Sequence, residues 1–509
     1  MGNCVSVTVI GCGYVGLVSG VCLADWGHDV TLVDQNENRI SMLKEGAIPI
    51  YEPGLDALLA ACRDRGRICF SSDLAASVPD ARCIMIAVGT PSDPLTGDAD
   101  LSQVLHCARE IAGALSGGGR YTVVVKSTVP PGTCERVEHL IRDLRPDVEV
   151  HVASNPEFLR EGSAIDDFQN PDRVVFGVHH DHARETMEKL YEPLARRGTR
   201  IIVTDCRSSE TTKYASNAFL ATKIAFVNQL ADLCEALGAN IKDVIAGTGS
   251  DSRIGSKFLE PGPGYGGSCF PKDTMALRNS AREVGVDLSI VAETINANDI
   301  RKRSLANRIR LVMGGSLEGR RIAILGLTFK AETDDLRDSP ALSLAHALVT
   351  LGARVTAYDP QVAAGRDLME GLAVMAGPYE CAANAEALVV ATEWAEFRRL
   401  DLRRLASVMG EARMFDFRRH IDPEAARAAG FIHHRIGEHP ATEEDAGFTH
   451  ALAVADLFEQ PETMAWKVRH KDNSKSGLGQ SGSPGGRRPK LRLRLKASSN
   501  DREQDATHG

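Results

Sequence analysis

The sequence predicts an α/β protein with two doubly wound domains, a long central helix between them and a disordered C-terminal tail. Over residues 5–205, short apolar runs rich in β-branched residues alternate with segments of helical periodicity. This alternation gives way to an unbroken helical pattern at Ser208 and resumes at Arg320. Apolar strands that alternate with helices are typical of parallel sheets covered by helices on both faces.

The N-terminus forms a βαβ unit with a glycine-rich turn. The run VSVTVI (5–10) is followed by GCGYVG, by a helical segment of small residues, and by the run DVTLVD. Gly11, Gly13 and Gly16 have the spacing GxGxxG, which permits a tight turn, close approach of a pyrophosphate and close helix–strand packing. Asp34, which ends the second strand, can accept hydrogen bonds from ribose hydroxyls and repel a 2′-phosphate. We therefore expect a Rossmann-like site that prefers NAD to NADP.

The other elements follow in order along the chain. Further strands of the first domain are expected at residues 83–89, 121–127, 148–154, 173–178 and 200–205. From Ser208 to about Ala246 the pattern indicates one long helix, which we interpret as a connection between domains and the support of a homodimer interface. The second domain, also Rossmann-like, is expected to have strands at residues 320–327, 353–360, 387–394 and 413–418 and a helix at 340–351.

These patterns divide the chain into four segments. We expect an N-terminal NAD-binding domain at residues 1–207, a central helical domain at 208–300, a C-terminal α/β domain at 301–438 and an extension at 439–509. Residues 467–509 contain 11 basic and 4 acidic residues and few large apolar side chains, which predicts a disordered basic tail. A weak contact with an anionic surface is the alternative to a solvated tail without function.

Composition and cysteine spacing restrict the class of protein. The net charge of −9 does not favour nucleic-acid binding, and no apolar run is long enough to span a membrane. The first strand begins so close to Met1 that we expect no signal peptide. The twelve cysteines show no CxxC spacing, which argues against a zinc site or a disulfide framework and favours a reducing compartment. We expect a cytoplasmic protein without a metal, whose partners are a small-molecule substrate and further copies of itself.

Three residues carry the chemistry that the sequence suggests most directly. Cys269 lies in GYGGSCFPKD, where the glycines leave room for a ligand and the lysine and aspartate bring charge close to the thiol. Nearby positive charge lowers the pKa of a thiol, so Cys269 is a candidate nucleophile. Lys213 and Asn217 are four residues apart on the expected central helix and share one face, from which both could donate to an oxyanion.

The chain resembles the UDP-glucose/GDP-mannose dehydrogenase family over roughly residues 5–436. The segments that carry the resemblance are GCGYVGLVSG (11–20), YEPGL (51–55), VGTP (88–91), KSTVPPGT (126–133), NPEFLREGSAIDDF (155–168), KYASNAFLATKIAFVNQ (213–229), PGPGYGGSCFPKDT (261–274) and LGLTFKAETDDLRDSP (325–340). The resemblance implies an NAD-dependent oxidation of a sugar nucleotide, with the sugar nucleotide on the C-terminal domain. FLEPGPG and GYGGSCFPKD favour UDP-glucose as the substrate.

The resemblance also implies roles for single positions. Those expected to bind NAD are Gly11, Gly13, Val15, Gly16, Asp34, Arg39, Thr90, Thr128, Glu161, Lys272 and Arg337. Those expected to bind the substrate are Glu157, Phe158, Leu159, Arg160, Glu161, Lys213, Asn217, Arg253, Phe258, Leu259, Glu260, Pro261, Gly262, Gly266 and Lys330. The expected catalytic set is Thr128, Glu157, Lys213, Asn217, Cys269 and Asp273. Arg253 matches an arginine that reaches the substrate of a neighbouring subunit.

The expected chemistry takes the C6 alcohol of UDP-glucose to a carboxylate, which needs two hydride transfers and two NAD molecules. A Cys269 thiolate would hold the intermediate aldehyde as a thiohemiacetal and then as a thioester that water hydrolyses. Lys213 and Asn217 would stabilise the oxyanions. The water would be held by Thr128, Glu157 and Asp273. The sequence leaves open how proton transfer divides among Lys213, Asp273 and water.

Three alternatives stay open at this point. The same chemistry could act on GDP-mannose or a UDP-hexosamine. A single-step NAD dehydrogenase could use Lys213 as its base and leave Cys269 incidental, and a third alternative is a nucleotide-sugar-binding protein without activity.

The family pattern is broken at Asp416-Phe417-Arg418, where the family has Asp-Gly-Arg. If that glycine requires a positive φ, Phe417 would be strained and Arg418 would be displaced from the substrate.

Overall fold

The structure, a computed structural model, describes residues 4–438. The extension at 439–509, including the predicted disordered tail, lies outside the described residues, as do residues 1–3. Within the described part, the chain forms two sheets of eight and six strands. The strands are β1 (Ser6–Ile10), β2 (Asp29–Val33), β3 (Ile68–Ser71), β4 (Cys83–Ile86), β5 (Arg120–Val125), β6 (Glu149–Ser154), β7 (Arg173–Val178), β8 (Arg200–Thr204), β9 (Arg321–Leu325), β10 (Arg354–Tyr358), β11 (Leu372–Val374), β12 (Ala387–Val390), β13 (Arg413–Asp416) and β14 (Ile432–Arg435).

Helices separate most of these strands, as the sequence predicts. They are α1 (Tyr14–Asp25), α2 (Glu37–Glu45), α3 (Leu55–Asp64), α4 (Leu74–Ser77), α5 (Ser102–Ala114), α6 (Thr133–Leu144), α7 (Ala164–Gln169), α8 (Asp181–Leu190), α9 (Glu192–Arg196), α10 (Cys206–Leu237), α11 (Ile241–Gly249), α12 (Phe270–Glu283), α13 (Ser289–Val312), α14 (Pro340–Thr350), α15 (Pro378–Cys381), α16 (Leu402–Val408) and α17 (Pro423–Ala428). Phe397–Arg399 adds one turn of 3-10 helix.

The first sheet has the strand order β3-β2-β1-β4-β5-β6-β7-β8. Its pairs are parallel except β6 with β7, so the expectation of a wholly parallel sheet is wrong at this pair. The chain between Ser154 and Arg173 includes only the six-residue helix α7 and does not cross the sheet, so β7 starts at the edge where β6 ends. This connection keeps residues 155–168 at the carboxyl edge of the parallel strands, where ligands bind in open α/β sheets.

The predicted long helix is interrupted. Helix α10 has 32 residues and ends at Gly238, which has a φ of 71°. The Asn240 side chain then accepts a hydrogen bond from the Lys242 backbone N–H and starts α11. A single helix from 208 to 246 is therefore wrong, because a left-handed glycine ends one helix and an asparagine caps the next.

The second sheet has the order β11-β10-β9-β12-β13-β14, and all of its pairs are parallel. The short strands β11 and β14 extend it beyond the elements predicted from sequence. Helix α13 continues from residue 289 to residue 312, so the domain boundary proposed at residues 300 and 301 falls inside a helix.

Adjacent residues of one strand lie in different parts of the core, as a doubly wound sheet requires. In β4, Met85 packs with Leu17 of α1, whereas Ile84 packs with Ile111 of α5 on the opposite face. The predicted fold class, two doubly wound α/β units joined by helices, is thus confirmed. Among residues 4–438, no helix combines the length and the apolar character needed to span a membrane.

Candidate active site

The glycine-rich turn between β1 and α1 has the geometry of a dinucleotide site. Gly11 has a φ of 99°, and a Cβ atom at Gly16 would lie 1.8 Å from the Gly11 carbonyl oxygen. Gly13 differs, because a Cβ there would meet no atom within 4 Å. The first and third glycines therefore serve the fold, while the second leaves open space at the start of α1, as the approach of a pyrophosphate requires.

Asp34 is held at the end of β2 in the place expected for a ribose contact. Its Oδ2 atom accepts hydrogen bonds from the Cys12 backbone N–H at 2.8 Å and from Arg39 Nη1 at 2.9 Å. Oδ1 accepts from the Asn36 backbone N–H at 2.9 Å. The carboxylate therefore lies against the glycine-rich turn, where an acid suits the ribose hydroxyls of NAD.

Thr90 and Thr128 lie at the ends of the neighbouring strands. The Thr90 hydroxyl donates to the Thr128 carbonyl oxygen at 2.8 Å, which joins the segments that follow β4 and β5. Val15 lies in the first turn of α1 and is partly exposed. These three residues therefore lie at the carboxyl edge of the first sheet, next to the glycine-rich turn.

Helix α10 presents Lys213 and Asn217 to two acids. Lys213 Nζ lies 2.9 Å from Glu157 Oε1, and both side chains are buried. Asn217 Nδ2 donates to Asp273 Oδ2 at 2.6 Å, and Lys272 Nζ donates to Asp273 Oδ1 at 2.6 Å. The predicted shared face of Lys213 and Asn217 is confirmed, and it is occupied by acids from two distant segments.

Cys269 directly precedes α12, beside this cluster. Burial raises the pKa of the Cys269 thiol to about 11, although the Lys213 ammonium acts to lower it, and Glu157 and Asp273 raise it further. The Ser268 hydroxyl lies 3.6 Å from Sγ. The expected effect of positive charge is present, but burial outweighs it, so the thiol is protonated at neutral pH in this arrangement.

Glu161 joins the two α/β units at the site. Its backbone carbonyl accepts from Lys330 Nζ at 2.5 Å, and its Oε2 atom accepts from the Thr333 hydroxyl at 2.6 Å. Its Oε1 atom lies 3.7 Å from Arg337 Nη2 and accepts from the Ser268 hydroxyl at 3.3 Å. Arg337, expected to bind NAD, and Lys330, expected to bind the substrate, therefore both contact Glu161, one at its carboxylate and the other at its backbone carbonyl.

The segment before Cys269 packs closely against the second unit. A Cβ atom at Gly266 would lie 2.3 Å from the Asp338 carbonyl oxygen, so only glycine fits there. Phe258 has a φ of 64°, and its ring is 6.2 Å from that of Phe270. Non-glycine residues in this conformation concentrate at ligand sites.

Other residues expected to bind the substrate lie around this segment in different environments. Pro261 and Gly262 are buried, Leu259 is buried against α11, and Glu260 is exposed. The Gly262 backbone N–H donates to Asn228 Oδ1 at 2.8 Å.

Not every expected substrate residue joins the cluster. Arg253 is 87% exposed and forms an ion pair with Asp251. Arg160 is exposed and paired with Asp167, while Leu159 is partly buried and donates its backbone N–H to Glu157.

The Phe158 ring lies next to two basic groups. The Lys213 ammonium is 5.5 Å from its centroid, and the Arg173 guanidinium carbon is 3.9 Å away. Phe158 therefore lies beside the buried Lys213 ammonium, at a distance that allows a cation–π contact.

The prediction of backbone strain at Phe417 is wrong. The positive φ falls instead on Arg419, at 53°, while Phe417 is buried and packs near Phe415 at a ring distance of 6.3 Å. Arg418 donates to the Ala391 and Phe329 carbonyl oxygens at 3.0 and 3.1 Å. The bulky ring is accommodated in the core, and Arg418 stays next to Gly262, where an added Cβ atom would lie 3.1 Å from Arg418 Nη1.

Sequence reasoning missed two positioning groups within the quoted motifs. Glu52, from YEPGL, is buried and accepts from the Gly162 and Ala164 backbone N–H groups, both at 2.8 Å. Lys126, from KSTVPPGT, is buried with Nζ 3.1 Å from Asn155 Oδ1, and burial lowers its pKa to about 8. Each is a charged residue inside a motif, but only the fold shows that each supports residues 155–164.

The fold and this site together define the class of NAD-dependent dehydrogenases built from two α/β units. The chain matches the UDP-glucose/GDP-mannose dehydrogenase family in its NAD binding domain over residues 5–195, its central domain over 207–300 and its UDP binding domain over 323–423. The chain belongs to this family. The predicted NAD cofactor and dehydrogenase class are therefore confirmed.

Named relatives and a solved structure agree with this membership. The chain is 52% identical to UDP-glucose 6-dehydrogenase of Rhizobium meliloti over 435 residues, covering 85% of this chain and 99% of the relative. It is 44% identical to UDP-glucose 6-dehydrogenase of Pseudomonas aeruginosa, covering 84% and 96%. The structure of a UDP-glucose dehydrogenase from Pyrobaculum islandicum superposes with a TM-score of 0.77 at 35% identity, covering 86% of this chain and 98% of that one.

Proposed function

We propose that this protein oxidises UDP-glucose at C6 to UDP-glucuronate, with NAD as the oxidant and Cys269 as the covalent nucleophile. The observation that carries the proposal is the buried cluster on α10, where Lys213 and Asn217 meet Glu157 and Asp273 beside Cys269. When bound, NAD accepts one hydride in each of the two oxidation stages. The names of the relatives support UDP-glucose as the sugar nucleotide.

The residues of this chain account for the remaining steps. In the first stage the C6 hydroxyl loses its proton and C6 its hydride, which leaves an aldehyde. The Cys269 sulfur adds to the aldehyde carbon, and the thiol proton is transferred so that a thiohemiacetal forms. Loss of the second hydride and the hydroxyl proton gives a thioester. Water adds to the thioester carbon and Cys269 leaves as a thiol, which releases the carboxylate.

Two donors are placed to stabilise the oxyanions of these steps. Lys213 and Asn217 are both buried, so their hydrogen bonds act in surroundings poor in water. Although burial opposes its charged form, the Glu157 carboxylate raises the pKa of Lys213 above its usual value. Lys213 therefore stays an ammonium and acts as an electrostatic stabiliser rather than as the resting-state base.

Water is the proposed acceptor of the first proton, and Asp273 and Glu157 are the acids that can orient it. Asp273 is fixed by Asn217 and Lys272, and Glu157 by Lys213 and the Leu159 backbone N–H. We assign Thr128, which is partly exposed at the carboxyl edge of β5, to the same water.

The test is a substrate panel of UDP-glucose, UDP-galactose, UDP-N-acetylglucosamine and GDP-mannose with NAD, followed by NADH absorbance and product mass. We expect UDP-glucose to have the largest kcat/KM, to yield two NADH per sugar, and to give a product with the mass of the C6 carboxylic acid. A ratio of one with release of aldehyde would support the single-step alternative. A larger kcat/KM for another sugar nucleotide would keep the chemistry and change the substrate.

We propose further that the protein is a homodimer assembled through α10. Phe219, Phe226 and Leu233 repeat every seven residues along this helix and are between 51% and 67% exposed. A stripe of this spacing follows one helix face and is typical of a helix that packs against a partner. Arg253, extended into solvent, is available to a second subunit. Light scattering should give twice the monomer mass, and Phe226→Glu should give the monomer.

A reducing, cytoplasmic location is our proposal for the compartment. All twelve cysteines are free thiols in the structure, which a reducing environment permits. Fractionation of cells that express the tagged protein would test this location.

A further inference from the structure

We propose a transition-metal site, suited to Zn²⁺, formed by Glu138, His151 and His180. The potential ligand atoms of these three side chains all lie within 4.8 Å of one another. Glu138 belongs to α6, His151 to β6, and His180 precedes α8, so the site joins three elements outside the candidate active site.

The short pairing of β6 with β7 places the two histidines of this cluster near each other. Strands β6 and β7 pair only through Ala153 with Val178 and Ser154 with Gly177. His151 lies two residues before this pairing, and His180 lies two residues after it. The pairing ends before these two histidines, and a carboxylate oxygen of Glu138, from α6, lies within 4.8 Å of a ring nitrogen of each.

The distance between two of the three ligand atoms suits zinc. His180 Nε2 lies 3.5 Å from Glu138 Oε1, and two ligands of a tetrahedral zinc ion are about 3.4 Å apart. The rings of His151 and His180 have centroids 4.4 Å apart. Imidazole and carboxylate ligands favour zinc and related ions, whereas Mg²⁺ and Ca²⁺ prefer oxygen alone. The His182 ring, 5.7 Å from that of His151, can offer a further imidazole.

His151 has the hydrogen-bonding pattern of a metal ligand. Its Nε2 atom lies 2.8 Å from Glu149 Oε1, while its buried Nδ1 atom has no hydrogen-bond partner among the described residues. A metal-binding histidine usually donates one ring N–H to a carboxylate, which leaves the other nitrogen free for the metal. An unpartnered buried nitrogen otherwise costs free energy, so a metal ligand role gives it a function.

Arg142 is the competitor of the metal. Its guanidinium forms an ion pair with Glu138 and lies 3.5 Å from His180 Nε2. This arginine is 44% exposed, so it can turn into solvent when a cation of higher charge takes its place. Removal of the Arg142 side chain should therefore tighten metal binding.

The test measures Zn²⁺ binding to the full-length protein by calorimetry and thermal shift, with Mg²⁺ as the comparison ion. His180→Ala and Glu138→Gln should each weaken Zn²⁺ binding by about tenfold or more, and Arg142→Gln should strengthen it. His106→Ala is the matched control, because His106 Nε2 also lies 3.5 Å from a glutamate oxygen, that of Glu110, but on an exposed helix surface. Binding to this control should be unchanged.

Co²⁺ absorption separates this site from the cysteines. Nitrogen and oxygen ligands give visible bands without the strong ultraviolet charge-transfer band of a thiolate. We expect such a spectrum in the wild type and its loss in His180→Ala. Unchanged affinity in either ligand variant, a thiolate band, or no binding by both the wild type and Arg142→Gln would overturn the proposal.

Discussion

Lys213 Nζ lies 2.9 Å from Glu157 Oε1, and both side chains are almost fully buried. Although burial opposes ionisation of the carboxyl group, the Lys213 ammonium and the Leu159 backbone N–H hold the pKa of Glu157 below its usual value. A carboxylate with a depressed folded pKa stabilises the fold above its unfolded pKa, and this contribution is lost as the pH falls through the folded pKa.

We therefore expect Glu157→Gln to lower the free energy of unfolding by about 3 kcal/mol at neutral pH, because it leaves a buried ammonium unpaired. The deficit should shrink as the pH falls below the usual range of a glutamate. Urea unfolding from pH 7 down to pH 2 would measure it, because the contribution is lost only below the usual pKa of a glutamate. Glu188→Gln is the control, since its exposed ion pair with Arg184 contributes less than about 1 kcal/mol. Equal losses in both variants would contradict the assignment.

Alkylation of Cys269 should depend on Lys213. Because burial raises the pKa of this thiol to about 11, iodoacetamide labelling should be slow at pH 7 and increase up to that pH. Lys213→Met removes the charge that lowers the pKa, so labelling at any pH below 11 should become slower. Peptide mass spectrometry would follow Cys269 beside the exposed Cys69, whose rate should be unaffected. An equal Cys269 rate in both proteins would show that Lys213 does not act on the thiol.

Cys269→Ser should abolish the complete oxidation. A serine hydroxyl is a much weaker nucleophile than a thiol, so turnover to the acid should fall by about a thousandfold or more. NADH absorbance and intact mass would report turnover and any covalent adduct. Cys69→Ser, at an exposed cysteine, should keep normal turnover. Near-normal acid formation by Cys269→Ser would remove the nucleophile from the mechanism.

Two glycines of the nucleotide turn should respond differently to alanine. Gly13→Ala meets open space, so the melting temperature should stay within a few degrees while KM for NAD increases. Gly16→Ala places a methyl group against the Gly11 carbonyl oxygen and should destabilise the fold itself. Thermal melts and NAD kinetics on both variants would separate the two effects. A Gly13→Ala protein with unchanged KM would contradict the proposed approach of the pyrophosphate.

Asp34→Ala should shift coenzyme use towards NADP. The change removes a negative charge from the 2′-phosphate position and releases Arg39 from its 2.9 Å ion pair. We expect the ratio of kcat/KM for NADP over NAD to increase by at least about tenfold, which corresponds to about 1.4 kcal/mol. The double change Asp34→Ala with Arg39→Ala should lose most of the gain. An unchanged ratio in Asp34→Ala would show that another residue selects the coenzyme.

Local patterns predict most of the strands, because each follows its own periodicity, but they miss the short strands β3, β11 and β14. They do not predict the antiparallel β6–β7 pair, since strand direction depends on whether the intervening chain crosses the sheet. The break at Gly238 was visible in the sequence as an isolated glycine. Its significance depends on its left-handed backbone, which the sequence does not specify on its own.

Sequence patterns also predict only part of the candidate active site. The spacing of Lys213 and Asn217 on one helix face follows from helix geometry. Their partners Glu157 and Asp273 each lie 56 residues away, in opposite directions along the chain. Only tertiary packing decides which acid meets which donor. The same packing partly buries Cys269, and its pKa is raised rather than lowered as positive charge alone would suggest.

Glu161 contacts Lys330, Thr333 and Arg337 across the two α/β units. These contacts matter for whether the two units could be encoded as separate chains. Each unit holds only part of the residues expected to bind NAD and the substrate, and the covalent connection keeps the two units at a high effective concentration. A gene split between the two units would make assembly depend on protein concentration. A substitution at Glu161 would therefore alter contacts made by both units at once.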